Sequence, residues 1–273
     1  ATREAMSGHV EEAFRAAGAA ADTVDKAILG GLAHLPLGET AAATLLGLSL
    51  RLARSARVLM EHVRTIWGLR QLIMELSGMM PNIREQLPVF RFHTGLYGRH
   101  WDVIEWLVHG LATDGGRRGR GASEAEALQS EGELRMVELG VACGPIGFHL
   151  LPRFPTLRYF GADPTITPPV KAGYAPYADR AALLEITSEE LHGRLDVRDL
   201  LDFVFIDGPH TYKNVRNDIE LWSPRMRSGG IVSGHDFTAA HPPLLWAVTE
   251  QRMAMGGGEV NLGMDGVWWW RAP

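Results

Sequence analysis

The chain of 273 residues holds one cysteine, Cys143. No intrachain disulfide can form, which excludes the small disulfide-stapled scaffolds and points to a reducing compartment, the cytoplasm first and an organellar lumen second. Also missing is any run of about 18 uninterrupted apolar residues, so no membrane span is expected. The nearest candidate, AAATLLGLSLRLARSARVLM, is broken by Arg51, Arg54 and Arg57. The N-terminus lacks the apolar core and cleavage pattern of a secretory signal. It begins with Ala rather than Met, as a processed, trimmed or engineered product would, and a removed organelle-targeting segment fits that start. Excess charge is lacking too. With 27 basic against 32 acidic side chains the formal net charge is −5, which gives no footprint for a nucleic-acid partner. The one basic run, RRGR at 117–120, reads as a solvated loop.

What is present is ordinary for a globular protein: 46% apolar and 22% charged residues. The length allows one large α/β domain, or a medium domain with a helical appendage. Residues 1–90 are rich in Ala and Leu, with turn signals at HLPLGE and SGMMPN. Between those signals Ile66, Leu69, Ile73 and Leu76 recur at spacings of three and four, which places them on one helical face. This region reads as a helical arm, suited to a homo-oligomer or a larger assembly. A further helix is expected over 99–111, and 114–133, rich in Gly, Arg and Glu, reads as an exposed loop.

From residue 134 short apolar runs alternate with helical stretches, the rhythm of a parallel sheet with crossover helices. Candidate strands are RMVEL (135–139), LRYFGA (157–162), AALLEI (181–186), DFVFI (202–206), IVSG (231–234) and GVWWW (266–270). DFVFI is apolar on consecutive positions, as a central strand covered on both faces requires. The three tryptophans read as strand core and sheet edge. Val215, Ile219 and Trp222 mark a helix that should stop at Ser223, because Pro224 follows.

The first of these strands runs into VELGVACGPIGF. A glycine turn between strand and helix lets backbone approach a ligand closely and presents helix N-terminal N–H groups. Glu138 sits in the strand end, and the next strand closes on Asp163, where a carboxylate in a Rossmann-like domain accepts hydrogen bonds from ribose hydroxyls. Downstream, FIDGPH ends a strand on Asp207 with His210 three positions later, and GGIVSGHDF ends another on His235 and Asp236.

VELGVACG, FGADP, FIDGPHTYKNVRNDIELWSP and GGIVSGHDF together resemble the class I S-adenosylmethionine-dependent methyltransferases. The last two segments resemble the branch that uses a divalent metal to methylate hydroxyl groups, including catechol-type and macrolide-sugar O-methyltransferases. The resemblance covers roughly residues 91–273. It implies a Rossmann-like sheet, mostly parallel with an antiparallel C-terminal strand, behind an N-terminal helical region. It implies that Glu138 binds the methionine amine directly or through water, that Gly140 and Gly144 let the loop curl under S-adenosylmethionine, and that Asp163 holds the ribose. Ser188, in EITSEE, falls where the family contacts adenine. Ala142 departs from the commoner glycine pattern of that loop.

Strands that neighbour in this fold would bring Asp207, His235 and Asp236 to one point. Two carboxylates suit a hard divalent cation such as Mg or Mn, whereas an imidazole better suits Zn, Mn or Fe. His210 is the expected general base: histidine as a residue type titrates near neutrality and can take the proton of a small hydroxylated acceptor. Two other readings stand beside this one. A non-catalytic methyltransferase-fold subunit would use the helical arm as its contact, and a metal-independent N- or O-methyltransferase would be indifferent to chelators. Nicotinamide-dependent dehydrogenases share the glycine turn and the ribose acid but do not account for FIDGPH and GHD.

Overall fold

Eight strands form one sheet in the order β1-β7-β8-β6-β5-β2-β3-β4. They are β1 (Val89–Phe92), β2 (Leu134–Leu139), β3 (Leu157–Ala162), β4 (Ala181–Leu184), β5 (Leu201–Ile206), β6 (Met226–Gly234), β7 (Glu259–Leu262) and β8 (Trp268–Arg271). The computed structural model describes residues 88–93, 99–113, 133–196, 200–238 and 240–273. The helical face through Ile66–Leu76 and nearly all of the 114–133 loop lie outside the described residues.

Strands β2 to β6 pair in parallel, while β8 runs antiparallel to both β6 and β7. This is the Rossmann-like methyltransferase sheet, with an antiparallel strand near the C-terminus. Six α-helices connect or cover the described strands: α1 (His100–Thr113), α2 (Pro145–Leu150), α3 (Pro168–Tyr174), α4 (Ser188–Arg194), α5 (Tyr212–Trp222) and α6 (Pro242–Ala254).

Each expected strand is found, within a few residues. β5 is buried along its length apart from Asp202, in keeping with its run of consecutive apolar residues. Strands β1 and β7 were not expected. Each is four residues long, too short for a period to declare itself, and they pair with each other in parallel. β1 begins inside the stretch that the sequence assigns to the helical arm.

The tryptophans of β8 require a correction. β8 lies between β6 and β7, so it is an inner strand, and Trp268, Trp269 and Trp270 are all buried. Helix α5 behaves as its spacing demands. Thr211 caps it, its side-chain oxygen accepting from Asn214 N–H; Val215, Ile219 and Trp222 face inward; and a 3-10 turn containing Pro224 follows. An aromatic side chain of this kind buries on the order of 150–250 Å². At about 25 cal/mol per Å², that gives Trp222 or Trp268 about 4–6 kcal/mol of transfer free energy.

The topology also fixes where a ligand can sit. From β2 the chain winds outward through β3 and β4, and then returns to the other side of β2 with β5 and β6. The strand order reverses at β2 and β5, and in open α/β sheets the crevice beyond the carboxyl ends at such a reversal is the binding place.

Candidate active site

At the carboxyl end of β2 the loop 140–144 curls tightly. Gly140 (φ 91°), Ala142 (φ 46°) and Gly144 (φ 72°) all adopt left-handed backbone conformations. Glycine is required at 140 for a second reason. A Cβ there would lie 2.2 Å from the Asp207 carbonyl oxygen, closer than any packed atoms allow, so this residue lets β2 approach the end of β5. Ala142 accepts the strained region and donates its N–H to Asp163 Oδ2 at 2.9 Å. Thr165 N–H donates to the other Asp163 oxygen at 2.8 Å.

Glu138 lies deeper, 1% exposed. Tyr159, on β3, donates its hydroxyl to Glu138 Oε2, and Tyr174 donates in turn to Tyr159 and to the Gly144 carbonyl. Burial pushes the Glu138 carboxyl well above the usual carboxylate range; the Tyr159 hydrogen bond pulls it partway back. Ser188 is the first residue of α4. Its hydroxyl accepts from the Trp222 indole N–H at 2.8 Å and hydrogen-bonds to buried Asp218, so it is engaged with the core beneath α5.

The second half of the site forms where β5 and β6 end side by side. Asp207 follows β5, its N–H bonded to the Leu139 carbonyl at 2.8 Å. His235 follows β6, its N–H bonded to the Ile206 carbonyl at 3.1 Å and its carbonyl accepting from Trp268 Nε1 at 3.2 Å. Asp236 takes a left-handed φ of 56°, which turns the chain out of the sheet. His235 Nδ1 lies 3.5 Å from Asp207 Oδ1 and 3.4 Å from Asp236 Oδ2. His210 Nε2 lies 3.0 Å from the same Asp236 oxygen and 3.6 Å from Asp207 Oδ1. The four residues singled out in FIDGPH and GHD therefore meet.

The electrostatics follow from this crowding. Burial opposes a charge on His235, yet the Asp207 and Asp236 carboxylates hold its imidazolium up to about 10. The hydrogen bond of His235 keeps Asp236 below the usual carboxylate range, against its burial. Even so, His210 Nε2 and His235 Nε2 are buried with no hydrogen-bond partner. Although 3.0 Å from Asp236, His210 Nε2 is misaligned for a bond. Two carboxylates and one imidazole, with ligand atoms all within 4.8 Å, fit a divalent cation by the chemistry of the donor set.

Three residues that the sequence left unassigned join this rim. His241, the cap of α6, reaches within 3.9 Å of Asp236 Oδ1. Asp265, in the turn between β7 and β8, accepts from the His100 backbone N–H at 3.1 Å and ring Nδ1 at 2.9 Å. The ring hydrogen bond holds the Asp265 carboxyl down at about 2, against its burial. For Asp265 the only signal in the sequence is the turn-forming Asp–Gly pair in GMDG.

Comparison with known proteins bears on the same segment. Residues 137–237 match the family model described as a methyltransferase domain; no curated protein matches the chain. Among solved structures, a caffeoyl-CoA O-methyltransferase-like protein from Staphylococcus aureus is similar over 73% of this chain and 96% of its own, at 14% identity and a TM-score of 0.44. The MycE methyltransferase of the mycinamycin biosynthetic pathway is similar over 47% and 31%, at 18% identity and a TM-score of 0.34. A precorrin-6y C5,15-methyltransferase from Geobacter metallireducens aligns over 45% and 63%, at 19% identity and a TM-score of 0.35. The chain thus spans less than two thirds of the length of the first solved structures it matches, 31%, 60% and 63% of them. Among the described residues no helix is long and apolar enough to cross a membrane. The matched segment, the strand order and the glycine turn agree: residues 137–237 are similar to a methyltransferase domain, set on a Rossmann-like sheet.

Proposed function

We propose that this chain transfers a methyl group from S-adenosylmethionine to a hydroxyl of a small acceptor, with a divalent cation at Asp207, His235 and Asp236 and His210 as general base. The observation that carries the reading is the convergence of those four side chains beyond β5 and β6, next to the glycine turn. S-adenosylmethionine supplies a methyl carbon made electrophilic by its sulfonium. A divalent ion supplies positive charge that lowers the pKa of a neighbouring hydroxyl.

The residues of the chain do the remaining work. Asp163 is half-buried and offers its carboxylate to the ribose, and the 140–144 loop sets the floor of the cofactor cleft. His210 takes the acceptor proton as the oxygen attacks the methyl carbon and the carbon–sulfur bond breaks. It lies on the loop between β5 and the cap of α5, with its Nε2 3.0 Å from Asp236 Oδ2. Holding oxygen, carbon and sulfur in line supplies much of the remaining acceleration.

The test has two arms. Calorimetry with S-adenosylhomocysteine should show binding, and its absence at millimolar ligand removes the cofactor half. Turnover with a panel of catechol, sugar and polyketide hydroxyls should disappear in chelator and in His210→Ala; full turnover in His210→Ala removes the assigned base.

A second reading has an observation of its own. Glu138 presents almost no surface and is already paired with Tyr159, while both Asp163 oxygens are bonded to backbone N–H groups. Such a cleft suits a non-catalytic subunit that uses residues 1–90 as its contact. Recovery of a stoichiometric complex without methyl transfer supports that reading, and methyl transfer by the isolated chain removes it.

A further inference from the structure

Four imidazoles crowd three carboxylates at this rim: His100, His210, His235 and His241 around Asp207, Asp236 and Asp265. A hard ion such as Mg asks for oxygen ligands in an octahedron with bonds of about 2.0–2.1 Å, which sets neighbouring ligands about 2.9 Å apart. A tetrahedral ion of the zinc type, with bonds of about 2.0–2.2 Å, sets them about 3.3–3.6 Å apart. His235 Nδ1 stands 3.5 and 3.4 Å from the two carboxylate oxygens it faces. Both the spacing and the nitrogen favour the second kind of ion.

The far side of His235 points the same way. A histidine that binds metal through one ring nitrogen keeps its proton on the other and turns it toward a carboxylate, which fixes tautomer and orientation. His235 Nε2 is buried without a hydrogen-bond partner, and Asp265 Oδ2 stands 4.0 Å from it. Asp265 is held for such a task. It occupies a left-handed turn (φ 58°) ahead of Gly266, receives two hydrogen bonds from His100, and the His100 ring packs 4.5 Å from the His235 ring.

We infer that the site selects a borderline transition-metal ion such as Co or Zn over Mg, with His235 a ligand through Nδ1 and the Asp265–His100 pair positioning that ligand. The inference rests on the metal-assisted reading above and sharpens it.

Full-length protein, stripped with chelator and dialysed, is titrated by calorimetry with Co²⁺, Mn²⁺, Zn²⁺ and Mg²⁺ in turn, and the Co²⁺ complex is followed by visible absorption. Co²⁺ and Zn²⁺ should bind at least about tenfold more tightly than Mg²⁺. His235→Asp should shift the Co²⁺ bands and narrow or invert that preference. Asp265→Asn should weaken Co²⁺ binding by about 10- to 100-fold, with S-adenosylhomocysteine binding serving as the check on folding. Mg²⁺ binding as tight as Co²⁺ in the unmodified protein, or Co²⁺ affinity unmoved by both variants, overturns the inference and leaves the metal-assisted reading standing. Absence of binding by all four ions, with S-adenosylhomocysteine still bound, removes the metal-assisted reading itself.

Discussion

The glycine-turn half of the cleft and the rim beyond β5 and β6 are both built on acidic strand ends and handled in opposite ways. Around β2 and β3 every acid is answered from within. Tyr159 donates to Glu138, and Ala142 and Thr165 donate through their backbones to Asp163. At the rim Asp207, His210, His235 and Asp236 stand 3.0–3.6 Å apart, and two ring nitrogens stay without a hydrogen bond. A buried polar group without a partner costs about 1–3 kcal/mol. The first half is therefore shaped before anything binds, while the second keeps hydrogen-bonding capacity unused. Gly140 joins them, packed against the Asp207 carbonyl.

The largest expected effect breaks the rim alone. His210→Ala should lower kcat by about 10²- to 10⁴-fold, the usual worth of a positioned general base, and leave S-adenosylhomocysteine affinity within about threefold, measured by calorimetry. A parallel loss of cofactor affinity would mean that the halves are not separable.

Gly140→Ala attacks the joint. Its Cβ would meet backbone at 2.2 Å with φ at 91°, so relief requires one strand end to move, and a loss above about 3 kcal/mol is expected from overpacking together with the backbone strain. Denaturant unfolding measures the stability, and both cofactor and metal binding should fall together.

Tyr159→Phe acts on the glycine-turn half. It leaves a buried Glu138 oxygen unsatisfied, at a cost of about 1–3 kcal/mol, and should weaken S-adenosylhomocysteine binding without changing metal affinity.

The smallest effect belongs to a control outside both halves. Burial raises the Asp218 carboxyl to about 6, partly offset by its Ser188 hydrogen bond. Between the ordinary carboxylate range and pH 6 the folded state holds a proton that the unfolded state has released, so stability falls as pH rises through that window. Above pH 6 the penalty is complete and amounts to at most about 3 kcal/mol. Asp218→Asn should flatten this part of the thermal-unfolding profile and leave both binding activities unchanged. A profile that keeps its slope would show that another group carries it.

Much of the sheet was legible because its strands are long enough to state their character. LRYFGA coincides with β3, and the run DFVFI announces a strand buried on both faces. β1 and β7 were not legible: at four residues each they carry no period, and only their pairing with each other makes them strands. The tryptophan run was read correctly as strand core, but its inner position in the sheet depends on β7 pairing on its far side.

The amino-acid sequence by itself determined the acids at the strand ends, the glycine turn after β2 and the Asp-x-x-His spacing, because a residue that ends a buried strand is fixed by local pattern. The tertiary structure alone decided that Tyr159 covers Glu138, that Ser188 is tied to Trp222 and Asp218, and that His100 holds Asp265 across 165 residues of chain. Such partners are chosen by which elements the fold packs together, and neither spacing nor propensity encodes a hydrogen bond between side chains so far apart in sequence.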